Sequence, residues 1–206
     1  QGVDIVSQSK WFNTLVVQCI DSAKACEIAN LYFVDSVQYV WKGQNVEDKQ
    51  LMRPRLRFVD CKSDSLHQSQ LGISESQFKL HNAQHLFNAG FKGQGIDVAV
   101  IDAGFTNIDV IPLFLRTSFI GFKNFVPDGR LFSASDHGTR VVSTMGINKP
   151  NKVMGSAPLA SYLLLRSEDE RSEFPVEEDY WVAAIEYADS VGVKLVNTSL
   201  GYSQFD

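Results

Sequence analysis

An α/β fold, a parallel sheet with crossover helices preceded by a small α/β unit, is predicted by the order of patterns along these 206 residues. Continuous apolar runs at 96–101, 161–165 and 193–198 read as strands covered on both faces. Helical stretches at 137–145 and 176–190 fall between them, and strands alternating with helices argue a parallel sheet. Ahead of this region a polar, charged stretch from Gly43 to Gln70, with one apolar patch at 56–59, reads as a linker from a different N-terminal rhythm.

The N-terminal elements follow from residue type. Residues 11–19 are rich in β-branched and aromatic side chains, and 34–41 alternate apolar with polar, so both are expected to be strands. Between them Asp21 caps a run of helix formers, 21–31, with apolar positions three and four apart. The expected order is strand, helix, strand. Residues 76–89 read as a helix that sets His81 and His85 on one face, a surface pair since no third metal ligand is evident. The last helix has Glu177, Glu178 and Asp179 in its first turn and Gly192 after its end, as the helix dipole and C-cap prefer.

Composition removes several function classes. With 44% hydrophobic and 21% charged residues the chain buries a core, and disorder and coiled coil are excluded. A net charge of -5, without a basic cluster, argues against a nucleic-acid partner. No apolar run approaches the roughly 18 residues that span a bilayer, and Gln1-Gly2-Val3-Asp4 lacks a signal-peptide layout. Cys19, Cys26 and Cys61 match no zinc spacing and are expected to be small buried apolar residues, with a Cys19–Cys26 bridge as the alternative in an exported protein.

In an open parallel sheet, chemistry sits beyond the carboxyl ends of the strands. Asp102 ends the first apolar strand, where an ionised carboxylate needs a partner or a turn to cap. His137 opens a helix in Ser135-Asp136-His137-Gly138-Thr139-Arg140. An acid that holds an imidazole tautomer, beside an imidazole that takes a hydroxyl proton, is the pair nucleophilic catalysis requires. A third strand runs out into Asn197-Thr198-Ser199-Leu200-Gly201, whose glycine lets an extended peptide approach the edge.

The segments Gly95 to Phe105, His137-Gly138-Thr139-Arg140-Val141, Gly155-Ser156-Ala157-Pro158 and Asn197-Thr198-Ser199-Leu200-Gly201 resemble, in order, successive motifs of the subtilisin-like serine peptidases. The resemblance implies a partial subtilisin-like sheet, Asp102 as the triad acid and His137 as the general base. It also implies that Ser199, Leu200 and Gly201 bind substrate backbone. Partners would be peptide or protein substrates, and localisation secreted or cell-envelope in a bacterium. No metal site is assigned, no cofactor is expected with certainty, and calcium is left open. The acidic stretch 168–181 is similar to that of secreted bacterial members and reads here as a solvated acidic face. Arg140, if turned inward, is expected to depress the imidazole pKa.

Residues 7–41 resemble the latter part of the propeptide of that family, with its opening strand expected before Gln1. The implied organisation is 1–61 as partial propeptide and linker and 62–206 as the N-terminal part of the peptidase domain, with processing between Asp60 and Gly72. The propeptide would pack on that domain, whose C-terminal remainder is a further implied partner. The nucleophile motif Gly-Thr-Ser and the oxyanion asparagine are expected beyond Asp206, since Ser143 and Ser156 replace neither. The chain alone is therefore expected to be inactive. The alternative is a catalytically silent regulatory or binding chain. A nucleotide site at Gly93-Gln94-Gly95 is disfavoured because those glycines precede the strand instead of following it.

Overall fold

A computed structural model describes residues 2–41 and 69–201. The expected linker lies outside these residues except for its last two, as do Cys61 and the expected processing region up to residue 68.

The N-terminal unit begins with a hairpin. Strand β1 (Val3–Ser9) pairs antiparallel with β2 (Thr14–Cys19), from Val3↔Cys19 to Ser9↔Thr14, with a bulge between Ile5 and Ser7. Helix α1 (Ser22–Ala29) follows, and the Asp21 carboxylate accepts from Lys24 N–H at 2.9 Å, so the expected cap is present. The order is thus strand, strand, helix, and a strand lies within the chain at residues 3–9. Its second half, Ser7-Gln8-Ser9, carries no β-branched residue to announce it.

Residues 34–41 form no strand, contrary to expectation. Val37, Tyr39 and Trp41 stay exposed, and the segment is anchored by one residue: Val40, with Val6 and Val16, packs against Val126, Phe174, Val176 and Tyr180, and its carbonyl accepts from Val176 N–H at 3.2 Å. Alternation only specifies that one face is buried. It does not choose a ladder partner.

The expected helix over 76–89 is two short ones, α2 (Glu75–Leu80) and α3 (Gln84–Asn88). Asn82 adopts a positive φ of 54° between them, a left-handed conformation that asparagine tolerates and that ends a helix. His81 and His85 therefore belong to different elements, and both are exposed.

The central sheet comprises β3 (Asp97–Asp102), β4 (Ser118–Asn124), β7 (Ser161–Arg166) and β8 (Leu195–Thr198), all parallel in the order β4-β7-β3-β8. Between β4 and β7 come helix α4 (His137–Gly146) and a small hairpin, β5 (Asn148–Lys149) with β6 (Val153–Met154); α5 (Val176–Val191) precedes β8. Three of these strands are the expected apolar runs, of which β3 and β7 are covered on both faces, whereas β8 ends the sheet among the described residues and leaves Leu195 exposed. The fourth, β4, is an edge strand with Gly121 and Lys123 in a largely exposed pattern, so it lacks the apolar signature of a buried strand. Alternate side chains of the central pair fill two layers. Val98, Val100, Tyr162 and Leu164 meet Phe105 and Ile108 of the loop after β3 and Val142 of α4 on one face, while Ala99, Ile101, Leu163 and Leu165 meet Ala184 and Ala188 of α5 on the other.

Cys26 is exposed and Cys19 half-buried, contrary to the expected burial, and both are free as expected, so the alternative Cys19–Cys26 bridge is not formed. Among the described residues no helix is long and apolar enough to cross a membrane.

Candidate active site

Strand β3 ends on Asp102, which is fully buried, and its Cα neighbour across the ladder is Arg166 at the end of β7. The loop after β3 and the start of α4 touch backbone to backbone. Gly138 N–H donates to the Gly104 carbonyl at 3.0 Å, and a Cβ on Gly138 would lie 2.5 Å from that oxygen and 2.6 Å from the Phe105 ring. A Cβ on Gly104 would meet Ser135 N at 2.7 Å. Glycine at both positions is what allows the two segments to close together.

That approach sets His137 Nδ1 2.8 Å from Asp102 Oδ1. Asp102 Oδ1 also accepts from Ala103 N–H at 2.8 Å, so the turn-capping and imidazole-holding roles coexist on one oxygen. With the carboxylate accepting, Nδ1 is the donor and Nε2 is the ring nitrogen left for other work. The His137 side chain is 47% exposed while that of Asp102 is 0% exposed. Burial pushes the Asp102 carboxyl up against the pull of His137 and Ala103, and the bond His137 donates to Asp102 in turn lifts the imidazole above its ordinary value. Arg140 takes no part: it points outward to Asp136 at 2.7 Å, and the imidazole is raised instead of depressed.

Ser135 supports the histidine from behind. Its Oγ accepts from His137 N–H at 3.1 Å and donates to the Glu170 carboxylate, and its carbonyl accepts from Thr106 N–H at 2.8 Å. Arg166, buried at the end of β7, donates to the Ala103 carbonyl at 2.8 Å and pairs with Asp128, which also meets Arg171 at 3.6 Å. These partners went unnoticed in the sequence. Arg166 had a signal, because it follows Leu163-Leu164-Leu165 just as Asp102 follows its own apolar run.

Ser199, Leu200 and Gly201 continue from β8, whose register pairs Ile101 with Thr198. Among the described residues β8 is an edge strand, and an added Cβ at Gly201 would meet nothing within 4 Å. The acidic stretch is not a solvated face throughout: Glu177 is 5% exposed, with Oε1 accepting from Asp169 N–H at 2.9 Å, and Asp169 pairs with Arg171. Helix α5 turns Glu177 inward because its first turn packs Val176 and Tyr180 into the core, while Glu178 stays exposed. Among the described residues no three His, Cys, Asp or Glu side chains converge as a metal set.

Residues 1–55 match the peptidase S8 propeptide domain of Bacteroidota. The chain is 33% identical over 132 residues to the major intracellular serine protease of Bacillus subtilis (strain 168), a match that covers 60% of this chain and 39% of that protein. The chain thus spans well under half the length of that relative. Among solved structures it is similar to the prenylagaramide maturation protease PagA, at 22% identity and a TM-score of 0.43, covering 58% of this chain and 39% of that one. It is also similar to MycP1 from Mycobacterium smegmatis, at 22% identity and a TM-score of 0.47, covering 66% and 37%.

Proposed function

We propose, from the relationship of this chain to the subtilisin-like serine peptidases, that it supplies the acid and base of a serine endopeptidase, Asp102 and His137, while the nucleophilic serine and oxyanion asparagine lie beyond residue 206. The observation that carries this reading is the 2.8 Å contact between His137 Nδ1 and Asp102 Oδ1 at the carboxyl end of a parallel sheet.

The chemistry is acyl transfer. The serine hydroxyl attacks the peptide carbonyl as Nε2 of His137 takes its proton, and Asp102 stabilises the resulting imidazolium. Backbone N–H groups and an amide side chain bind the oxyanion. Nε2 then delivers that proton to the departing amine. Water, deprotonated by the same nitrogen, hydrolyses the acyl-enzyme and regenerates the serine. Peptide backbone pairs along the open edge of β8 at Ser199, Leu200 and Gly201.

The N-terminal unit fits the role of a propeptide that packs on the peptidase part and holds it as a zymogen before secretion. The hairpin and residues 34–41 meet α5 through Glu186 and Val176, respectively. Residues 1–206 alone are then without peptidase activity.

The deciding measurement is peptide hydrolysis by the protein extended through its C-terminal continuation. Asp102→Asn is expected to slow turnover by about 10⁴ with the fold intact, and His137→Ala by about 10⁶. Undiminished hydrolysis in His137→Ala, or hydrolysis by residues 1–206 that His137→Ala abolishes, would overturn this reading.

A further inference from the structure

We infer that the acidic hollow between the start of α5 and the end of β8 receives a basic side chain, arginine or lysine, of an extended peptide lying along β8. This rests on the proposed peptidase function and adds a substrate class to it.

The hollow encloses about 530 Å³ and is lined by the carboxylates of Glu168, Glu177 and Glu178 together with the apolar side chains of Trp181, Val182 and Leu200, Trp181 and Val182 lying one turn along α5 from Glu177 and Glu178. Two of its lining side chains are buried polar groups with an atom that has no partner among the described residues: Oε2 of Glu177 and Oγ of Ser167, in residues 5% and 1% exposed. Buried polar atoms are nearly always paired, so two orphans in the wall of one hollow mark a missing partner. Both are oxygens, one of them a carboxylate, and the partner they ask for is a donor. The arginines of this region have other engagements, Arg166 with Asp128 and Arg171 with Asp169 and Asp128. Burial is the chief cause that pushes Glu168 up to about 7 and Glu177 up to about 8, and repulsion from Glu168 contributes to the rise at Glu177. An incoming cation relieves that repulsion.

The apolar wall decides which cation. A long aliphatic stem ending in a charge lies against Trp181, Val182 and Leu200 while its head reaches the carboxylates. A metal ion would have no use for that wall, and the carboxylates do not converge on a metal set among the described residues. The peptide route is also present. Gly201 lines the hollow on the open edge of the sheet, and at the start of α5 an extended segment of this chain already docks through Val40 O and Val176 N–H.

The test is a positional-scanning peptide library hydrolysed by the protein carried through its C-terminal continuation. Arginine or lysine is expected at one position, favoured over norleucine by at least about tenfold in kcat/KM, the scale of one charge-assisted hydrogen bond. Glu177→Gln with Glu168→Gln is expected to bring that ratio towards one. A library with no basic preference, or a preference unmoved in the double variant, would overturn the inference while leaving the peptidase reading intact. Absence of any His137-dependent hydrolysis would instead count against the peptidase reading, and a second measurement then decides the inference. Calorimetry on the His137→Ala protein compares an arginine peptide with its norleucine counterpart. Tighter binding of the arginine peptide, lost in the double variant, supports the basic subsite. Equal binding, or Glu177-dependent binding of calcium chloride without binding of the peptide, overturns it.

Discussion

His137 donates from a half-exposed ring to a carboxylate shut away from water, so the two groups titrate under opposite pressures. The bond to Asp102 raises the imidazole above 6.5, which keeps it protonated to higher pH than a free histidine. The stabilisation from the charged pair is therefore fully present below about 6.5, the unfolded value, and fades as pH rises through the elevated folded value. A proton NMR titration of the His137 ring should give a midpoint above 6.5, and Asp102→Asn should lower it. A midpoint at or below 6.5, or one indifferent to Asp102, would mean that the carboxylate is not what governs this ring. The contact was legible in the residue types, an acid after an apolar strand and a histidine opening a helix. Its dependence on Gly104 and Gly138 was not, because a close approach involves two segments at once.

At the scale of elements, the hairpin of β1 and β2 is held to α5 by a single side chain as well as by apolar packing. Glu186 accepts from Ser9 Oγ and from the N–H groups of Lys10 and Trp11, the latter two at 3.0 Å. The bond from Ser9, joined by those from Lys10 and Trp11 and opposed by desolvation, keeps this carboxyl below its usual range. Glu186→Ala should speed amide exchange at Lys10 and Trp11 and hasten proteolysis of residues 2–41, with Glu186→Gln in between. Exchange equal to wild type would assign the docking to Val6, Val16 and Val40 on Phe174 and Val176 alone. Helical elements with clear end signals were read almost to the residue: Asp21 and Gly192 bound α1 and α5, and α4 starts at His137. Strands β1 and β4 and the break at Asn82 escaped, since both strands interrupt their apolar residues with polar ones or glycine instead of forming a continuous run, and a left-handed asparagine leaves no periodic signal.

Across the whole molecule, the modest net charge of -5 conceals a local concentration of carboxylates in and around the α5 start. Glu177, pushed up to about 8 chiefly by burial, binds its proton more tightly in the folded chain than at its ordinary 4.5. Folding stability should consequently fall as pH rises from about 4.5 to about 8, because the folded state holds the extra proton over that interval. Glu177→Gln should flatten the decline of Tm with pH, read by circular dichroism at a series of pH values. A variant whose Tm follows the wild-type slope would show that Glu177 ionises without penalty.

The amino-acid sequence alone determined the α/β class, the three apolar strands, the capped helices and the candidate pair Asp102 and His137. These rest on local periodicity and on residues that end an element, and such signals survive in one dimension. Tertiary structure decided that β4 joins the sheet, that residues 34–41 dock on α5 instead of pairing as a strand, and that Glu177 turns inward. Partners for an edge, an alternating segment or a carboxylate are chosen by what lies across space, where competition between burial and hydrogen bonding is settled only after the layers have packed.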